Sequence, residues 1–269
     1  IYDYLVIGGY FLLVMSIAFV FKRMANRSTS DYFRGGGRML WWMVGSSAFM
    51  AQFSAWTFTG AAGKAFTDGF AVSLVFFANT FSYFCGWAYF AHRFRQMRVD
   101  TPTQAIRRRF GDQNELFFSC ALIVFSLINA GVWLNALGVF ASAVFEADIG
   151  LTIIVTGLVV LLVSGLSGAW GVVASDFVQT LVVAVVSVAC AVVALVKVGG
   201  PIELVQNFPS GFVMGPNMNY GLLLVGTFVF FLAKQLITIM NLNDSFRFLN
   251  SKDSINARKA ALLAMGLMG

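Results

Sequence analysis

Along this chain apolar residues come in long continuous runs, separated by short clusters of charge, rather than in the alternating or 3.6-residue patterns of soluble elements. The runs predict seven complete membrane-crossing helices, at roughly 4–21, 41–65, 70–91, 116–145, 150–166, 169–196 and 221–245, with an eighth beginning near 259. A helix needs about 20 apolar residues to cross the hydrocarbon, whereas barrel strands alternate over about 10, so the pattern predicts helices. One run departs from the rest. Residues 41–65 read WWMVGSSAFMAQFSAWTFTGAAGKA, with Gln52, Ser54, Thr57 and Thr59 in its middle and Gly45, Gly60 and Gly63 around them. Polar groups and glycines at mid-depth are tolerated where the backbone is buried in protein or lines a wet cavity. The segment is therefore read as a helix broken near the midplane, the alternative being a face of small residues used for packing.

Composition agrees with the pattern: 59% of the 269 residues are hydrophobic and only 11% are charged. The class is a polytopic all-α membrane protein. Charge then supplies the topology. Fifteen of the eighteen lysines and arginines fall in three alternate connections, 22–38, 93–109 and the stretch after the seventh span. Those connections are predicted to be cytoplasmic, which puts the N-terminus outside. The net charge of +6 is explained by this placement, and no nucleic-acid partner is expected. The connection 197–220 reads as an outer loop with one short helix over 202–207. The stretch 98–115 reads as a short amphipathic helix at the inner surface, with Arg107 to Arg109 toward lipid headgroups. Cys85, Cys120 and Cys190 have no metal-ligand spacing and read as small core residues, and His92 as interfacial. The chain starts at Ile1 without a methionine, shows no signal peptide and stops about ten residues into an apolar run, and it is read as incomplete.

Three charges remain inside spans: Asp176, Lys234 and Asp244. Each would cost roughly 2.5–3.5 kcal/mol facing lipid at mid-helix, so each needs a partner or water. Asp176, near Ser175, Gln179 and Thr180, offers hard oxygen suited to Na⁺ or a proton, or else anchors two helices. Lys234 shares a stripe with Thr227, Thr238, Asn241 and Ser245, and pairs with an anionic solute group, holds a place that an ion fills in relatives, or pairs with an internal carboxylate. Asp244 is expected to pair with Arg247 at i+3. Asn79 in the third span and Asn129, Trp133 and Asn135 in the fourth are either interhelical hydrogen-bond partners or part of a site.

Three stretches resemble the sodium/solute symporter family, which includes sodium/glucose, proline, pantothenate and sialic acid symporters. They are DYFRGGGRMLWWMVGSSAFMAQFSAWTFTG, SGAWGVVASDFVQT and NDSFRFLNSKDSINARKAALL, in the family's order. The resemblance implies inverted five-helix repeats of the leucine-transporter type behind one extra helix. On that scheme 1–269 is one incomplete transporter domain. Residues 4–21 are the extra helix, 41–196 the first repeat and 221–269 the start of the second, with 41–65 as core helix one and 221–245 as core helix six. The family's Na⁺ site falls on the backbone carbonyls of Met50 and Phe53, and its second Na⁺ aspartate on Asp176. Its solute positions fall on Ser54, Thr57, Asn79, Asn129 and Asn241. Phe76 stands where sugar-transporting members carry an acidic residue, and Lys234 belongs to no family motif.

The resulting expectation is a Na⁺-coupled carrier of a small polar or anionic solute in a plasma or bacterial inner membrane, with Lys234 added to the solute set. The alternatives are a transporter-like sensory module driving a fused signalling domain, and an ion channel, for which no filter motif is seen. No nucleophile–base pair or metal cluster appears in any span, so an enzyme is not expected.

Overall fold

The computed structural model describes residues 2–58, 60–206, 221–241 and 244–269. Thr59, the 207–220 part of the predicted outer loop and the side chains of Thr227 and Ser245 lie outside the described residues. The described chain is almost wholly helical, and its one extended pairing is an isolated bridge between Met39 and Ser251.

The first helix, α1 (Tyr2–Ala25), is longer than the predicted span 4–21. It packs along a later long helix through Val14, Ala18 and Val163, and Phe21 stacks on Trp170 with ring centres 6.2 Å apart. A short helix, α2 (Thr29–Arg34), begins where Ser28 Oγ accepts the Asp31 backbone N–H at 3.0 Å. It ends at Gly35, whose φ of 59° is left-handed backbone that glycine adopts without strain.

Span 41–65 is broken. A helix α3 (Trp41–Met50) ends, 51–54 are non-helical, and the chain resumes as α4 (Ala55–Phe58) and α5 (Gly60–Asp68). Both sequence readings hold, each for a different part. In α3, Gly45 lies against the last helix, α13 (Ser254–Met268), so closely that a Cβ would sit 2.8 Å from the Ala260 carbonyl oxygen. Ala257, Ala260, Ala261 and Ala264 of α13 are all fully buried in this core. Small residues thus let two helices meet, and the break follows one turn later.

The third span is α6 (Ser73–Cys85), a wide π-turn at Gly86–Phe90 and α7 (Ala91–Gln96). The expected surface helix is α8 (Pro102–Phe110), with proline in its first turn. Then come α9 (Asp112–Phe145) and α10 (Ile149–Val198), joined by a tight turn in which Asp148 caps Leu151 N–H at 2.9 Å. Predicted spans 150–166 and 169–196 are two arms of α10, parted at Gly168 (φ 51°, ψ −151°), whose backbone leaves helical space. The short outer helix is α11 (Pro201–Gln206). Span 221–245 requires correction: α12 (Gly221–Ile239) stops six residues early, and a 3₁₀ turn at Asp244–Asn250 follows.

Three described helices are long and apolar enough to cross a membrane, Gly8–Ala25, Asp112–Phe145 and Ile149–Val198. The remaining predicted spans are interrupted ones, and that is where the packing concentrates. The three basic connections meet in one layer. Arg34 Nε pairs with Asp100 Oδ1 at 2.7 Å, Arg95 Nη2 donates to the Lys252 carbonyl at 3.1 Å, and Lys252 N–H donates to the Met39 carbonyl at 2.8 Å. Gly165, next to the bend in α10, joins the same layer by accepting the Tyr32 hydroxyl at 3.2 Å.

Candidate functional site

Two helices stop inside the apolar part of the fold, α3 at Met50 and α12 at Ile239, and α6 touches both ends. The buried Tyr83 of α6 donates its hydroxyl to the Ala48 carbonyl at 2.5 Å, at the last turn of α3. Further along, Asn79 of α6 accepts from Gln235 of α12 at 2.5 Å, and the two residues are 5% and 6% exposed. Gly86 in the π-turn lies against Met240, just past the end of α12; a Cβ there would be 2.8 Å from the Met240 methyl. The wide turn leaves a carbonyl outside the regular ladder, and Arg258 Nε donates to that of Trp87 at 3.1 Å.

The first break is local in its bonding. Gln52 N–H reaches only the Phe49 carbonyl (3.0 Å) and Phe53 N–H the Met50 carbonyl (3.2 Å), which is the tightened pattern of a helix end. Ser54 and Thr57 cap the resumed helix reciprocally: Thr57 N–H donates to the Ser54 carbonyl at 2.9 Å, and Ser54 N–H to Thr57 Oγ1 at 3.4 Å. Both side chains are half-buried. Phe53 packs its ring on Phe49, with centres 5.3 Å apart, so its side chain is held against the core while the backbone of the link carries polar groups. Among the described residues no cluster of three His, Cys, Asp or Glu could hold a metal. The polar groups that this link does present are neutral carbonyl and hydroxyl oxygens, the donor type that hard cations take.

The second break is held by side chains. Asn241 Nδ2 donates to the Thr238 carbonyl (2.7 Å) and to Asp244 Oδ2 (2.6 Å), and its Oδ1 accepts Asp244 N–H (2.8 Å). Asn241 therefore closes one helix and starts the next turn. The expected pairing of Asp244 with Arg247 takes another form, because Asn241 holds the carboxylate. Arg247 Nη1 donates instead to the Asp244 backbone carbonyl at 3.3 Å. Its Nε turns to Ser47 Oγ at 3.3 Å, and Ser47 Oγ donates to Asp176 Oδ2 at 2.5 Å. Asp176 thus sits beside the last turn of α3, on the same helix arm as Thr180, whose Oγ1 donates to the Ser46 carbonyl at 3.4 Å.

The predicted positions are not all brought together. Met50, Phe53, Ser54 and Thr57 form the first break, Asn241 the second, and Asn79 the α6 wall between α3 and α12. Asn129 and Trp133 are on the exposed side of α9, a helix that approaches the broken one at α4. Lys234 and Thr238 are exposed on α12, and among the described residues no carboxylate pairs with Lys234. Among the described side chains of that helix the buried polar one is Gln235, one position on. Sequence reading did not single out Gln235 or Ser47, and named Arg247 only as the partner of Asp244. The usable signal for Gln235 was its amide in the middle of an apolar run.

Residues 32–269 match the sodium:solute symporter family. The sodium/myo-inositol cotransporter of Mus musculus is 28% identical over 211 residues, which are 77% of this chain and 29% of that protein. Sodium/glucose cotransporter 1 of Oryctolagus cuniculus is 29% identical, over 74% of this chain and 30% of its own length. The sodium/sialic acid symporter of Proteus mirabilis is 24% identical, over 75% and 40%. The chain thus spans well under half the length of these curated relatives. A solved structure of a Na⁺-coupled sialic acid symporter, in a substrate-bound outward-open state, superposes over the whole chain and 57% of its own, with a TM-score of 0.81 at 19% identity. The fold is therefore leucine-transporter-like. On the strength of the match from α2 to the end of α13, the chain belongs to the sodium:solute symporter family.

Proposed function

We propose that the chain is the first-repeat part of a Na⁺-coupled symporter that takes up a small polar or anionic solute by alternating access. The extra helix is 4–21, the first repeat 41–196, and 221–269 opens the second. The observation that carries this reading is the pair of helix ends at Met50 and Ile239, both bonded to α6, through Tyr83 at Ala48 and through Asn79 at Gln235. An interrupted helix at mid-depth offers carbonyls and helix ends to ions and solute without exposing backbone to lipid. Na⁺ is bound by the carbonyls of Met50 and Phe53, and a second Na⁺ by Asp176. Ser54, Thr57, Asn79, Asn129 and Asn241 contribute to the solute site, and Lys234 pairs with an anionic group on the solute. Ion and solute favour the same arrangement of the link at 51–54, and that shared preference couples their binding.

The layer of basic connections faces the cytoplasm and the N-terminus lies outside, in a plasma or bacterial inner membrane. The relatives described above are cotransporters and symporters, which favours carriage over a sensory role. The test is solute counterflow with the intact protein in liposomes, in Na⁺ and in K⁺. Saturable exchange that requires Na⁺ supports the reading; uptake that is indifferent to Na⁺, or an unsaturable conductance, overturns it.

A further inference from the structure

Ser47 occupies a position that the solute and ion sets do not use. It is fully buried, in the last turn of α3, and its carbonyl accepts the Ala51 N–H at 3.1 Å where the helix ends. Its hydroxyl donates to Asp176 on α10 and accepts from Arg247. Arg247 in turn holds the Asp244 carbonyl, Asp244 holds Asn241, and Asn241 holds the end of α12 at the Thr238 carbonyl. One continuous set of hydrogen bonds therefore runs from the break in α12, through the break in α3, to the second arm of α10. Beside it is a cavity of about 230 Å³ lined by Ser47, Gly168, Val172, Val173, Phe246 and Arg247. Trp42 of α3 also contacts Phe177 of α10 in this seam, ring centres 4.6 Å apart.

We propose that Ser47 is a positioning residue that latches the seam between α3 and α10, and that this latch must open for the carrier to release its cargo on the side of the basic connections. The proposal rests on the carrier reading above. Its physical basis is the bonding capacity of one hydroxyl: a single donor and an acceptor, here shared between a carboxylate and a guanidinium from two other elements. Removing it leaves both charged groups short of a partner in a buried seam, and so destabilises the closed arrangement relative to the open one. Asp176 and Arg247 then separate with less resistance, and the partly open cavity beside them widens into the seam.

The experiment uses the intact protein with Cys85, Cys120 and Cys190 replaced by serine and Val173→Cys introduced. Val173 is 2% exposed on the α10 side of the seam. Labelling by a membrane-impermeant maleimide from the basic-connection side is compared in Na⁺ among parent, Ser47→Ala and Ser47→Thr. The latch predicts a labelling rate about tenfold higher in Ser47→Ala, from the loss of one charge-assisted bond, and near-parent protection in Ser47→Thr, which keeps the hydroxyl. Thermal unfolding of each variant in detergent accompanies the labelling, so that raised labelling with an unchanged midpoint reports opening. Equal labelling in parent and Ser47→Ala, or raised labelling only with a lowered midpoint, overturns the latch. Loss of Na⁺-dependent counterflow in the parent itself overturns the carrier reading instead.

Discussion

The Gln235 side-chain amide donates to the Asn79 side-chain oxygen across the contact of α12 with α6, in a place almost closed to solvent. The bond ties the helix that ends at Ile239 to the helix that also braces the end of α3 through Tyr83. Either side chain alone would be a buried amide with an unmet group. Asn79→Ala and Gln235→Ala are each expected to lower stability by about 1–3 kcal/mol, and the double variant by less than the sum. Thermal unfolding in detergent, arranged as a double-mutant cycle, checks this. Additive losses would mean that the two amides do not depend on each other. If Asn79 also meets solute, its variant loses solute affinity beyond what Gln235→Ala loses.

Gly168 divides α10 into two arms, and its φ of 51° with ψ of −151° lies in a region essentially restricted to glycine. A Cβ there would also come within 2.6 Å of the Tyr32 carbonyl oxygen. Gly168→Ala is expected to destabilise the fold by about 1–3 kcal/mol from backbone strain, with crowding against Tyr32 in addition. Gly165→Ala, three residues away with nothing within 4 Å of its Cβ position, serves as the control and should unfold near the parent midpoint. Similar behaviour of the two variants would contradict a hinge that depends on glycine.

The main features of this architecture were legible because they follow from solvation. Apolar runs gave the spans, and clustered arginines gave the connections that meet through Arg34–Asp100 and Arg95–Lys252. The break in span 41–65 was legible because Gln52, Ser54 and Thr57 are too polar for a lipid-facing turn. The end of α12 was not. Ile239 and Met240 are apolar, no glycine or proline marks the stop, and the break depends on Asn241 folding back on Thr238 and Asp244. The buried amide on α12 was not legible either, for a related reason. A helix that is apolar nearly all round carries little directional signal, so the stripe through Lys234 looked as good as the one through Gln235. Ser47 was hidden in a run of small residues that reads equally well as packing.

Acid stability should depend on Asp253, which lies in the connection before α13 and caps that helix. The backbone N–H of Asn256 donates to its Oδ1 at 2.7 Å and holds the carboxyl below the usual carboxylate range, and the Asn256 side chain adds to this. A carboxyl whose pKa is lower when folded contributes stability above its unfolded pKa of about 3.9, and that contribution is lost as pH falls through the folded value. Asp253→Ala should cost about 1 kcal/mol at neutral pH, the usual worth of such a cap, and progressively less as pH falls below the unfolded value. Asp253→Asn keeps a capping oxygen and should recover most of the loss at neutral pH while flattening the acid limb. Unfolding midpoints from pH 3 to 7 decide this, and a cost independent of pH would sink it.

Lys234 separates a neutral from an anionic solute. It lies in the second half of an apolar helix, it is exposed on that helix, and no carboxylate pairs with it among the described residues. An ammonium in lipid is costly, so the position calls for water or an anion. Under the proposed function that anion is a carboxylate or phosphate on the solute, which a fixed ammonium recognises as a point charge. Lys234→Gln keeps the stem and a donor but removes the charge. Affinity for an anionic solute should then fall by about tenfold or more, the scale of one hydrogen bond to a charged group, while a neutral polyol of similar size is unaffected. Lys234→Arg should retain part of the preference. Inhibition of counterflow by each solute, measured in the parent and both variants, reads this out directly. Equal losses for anionic and neutral solutes in Lys234→Gln would place the lysine among the residues that support the fold, and would leave the polar link at Ser54 and Thr57 as the source of solute recognition.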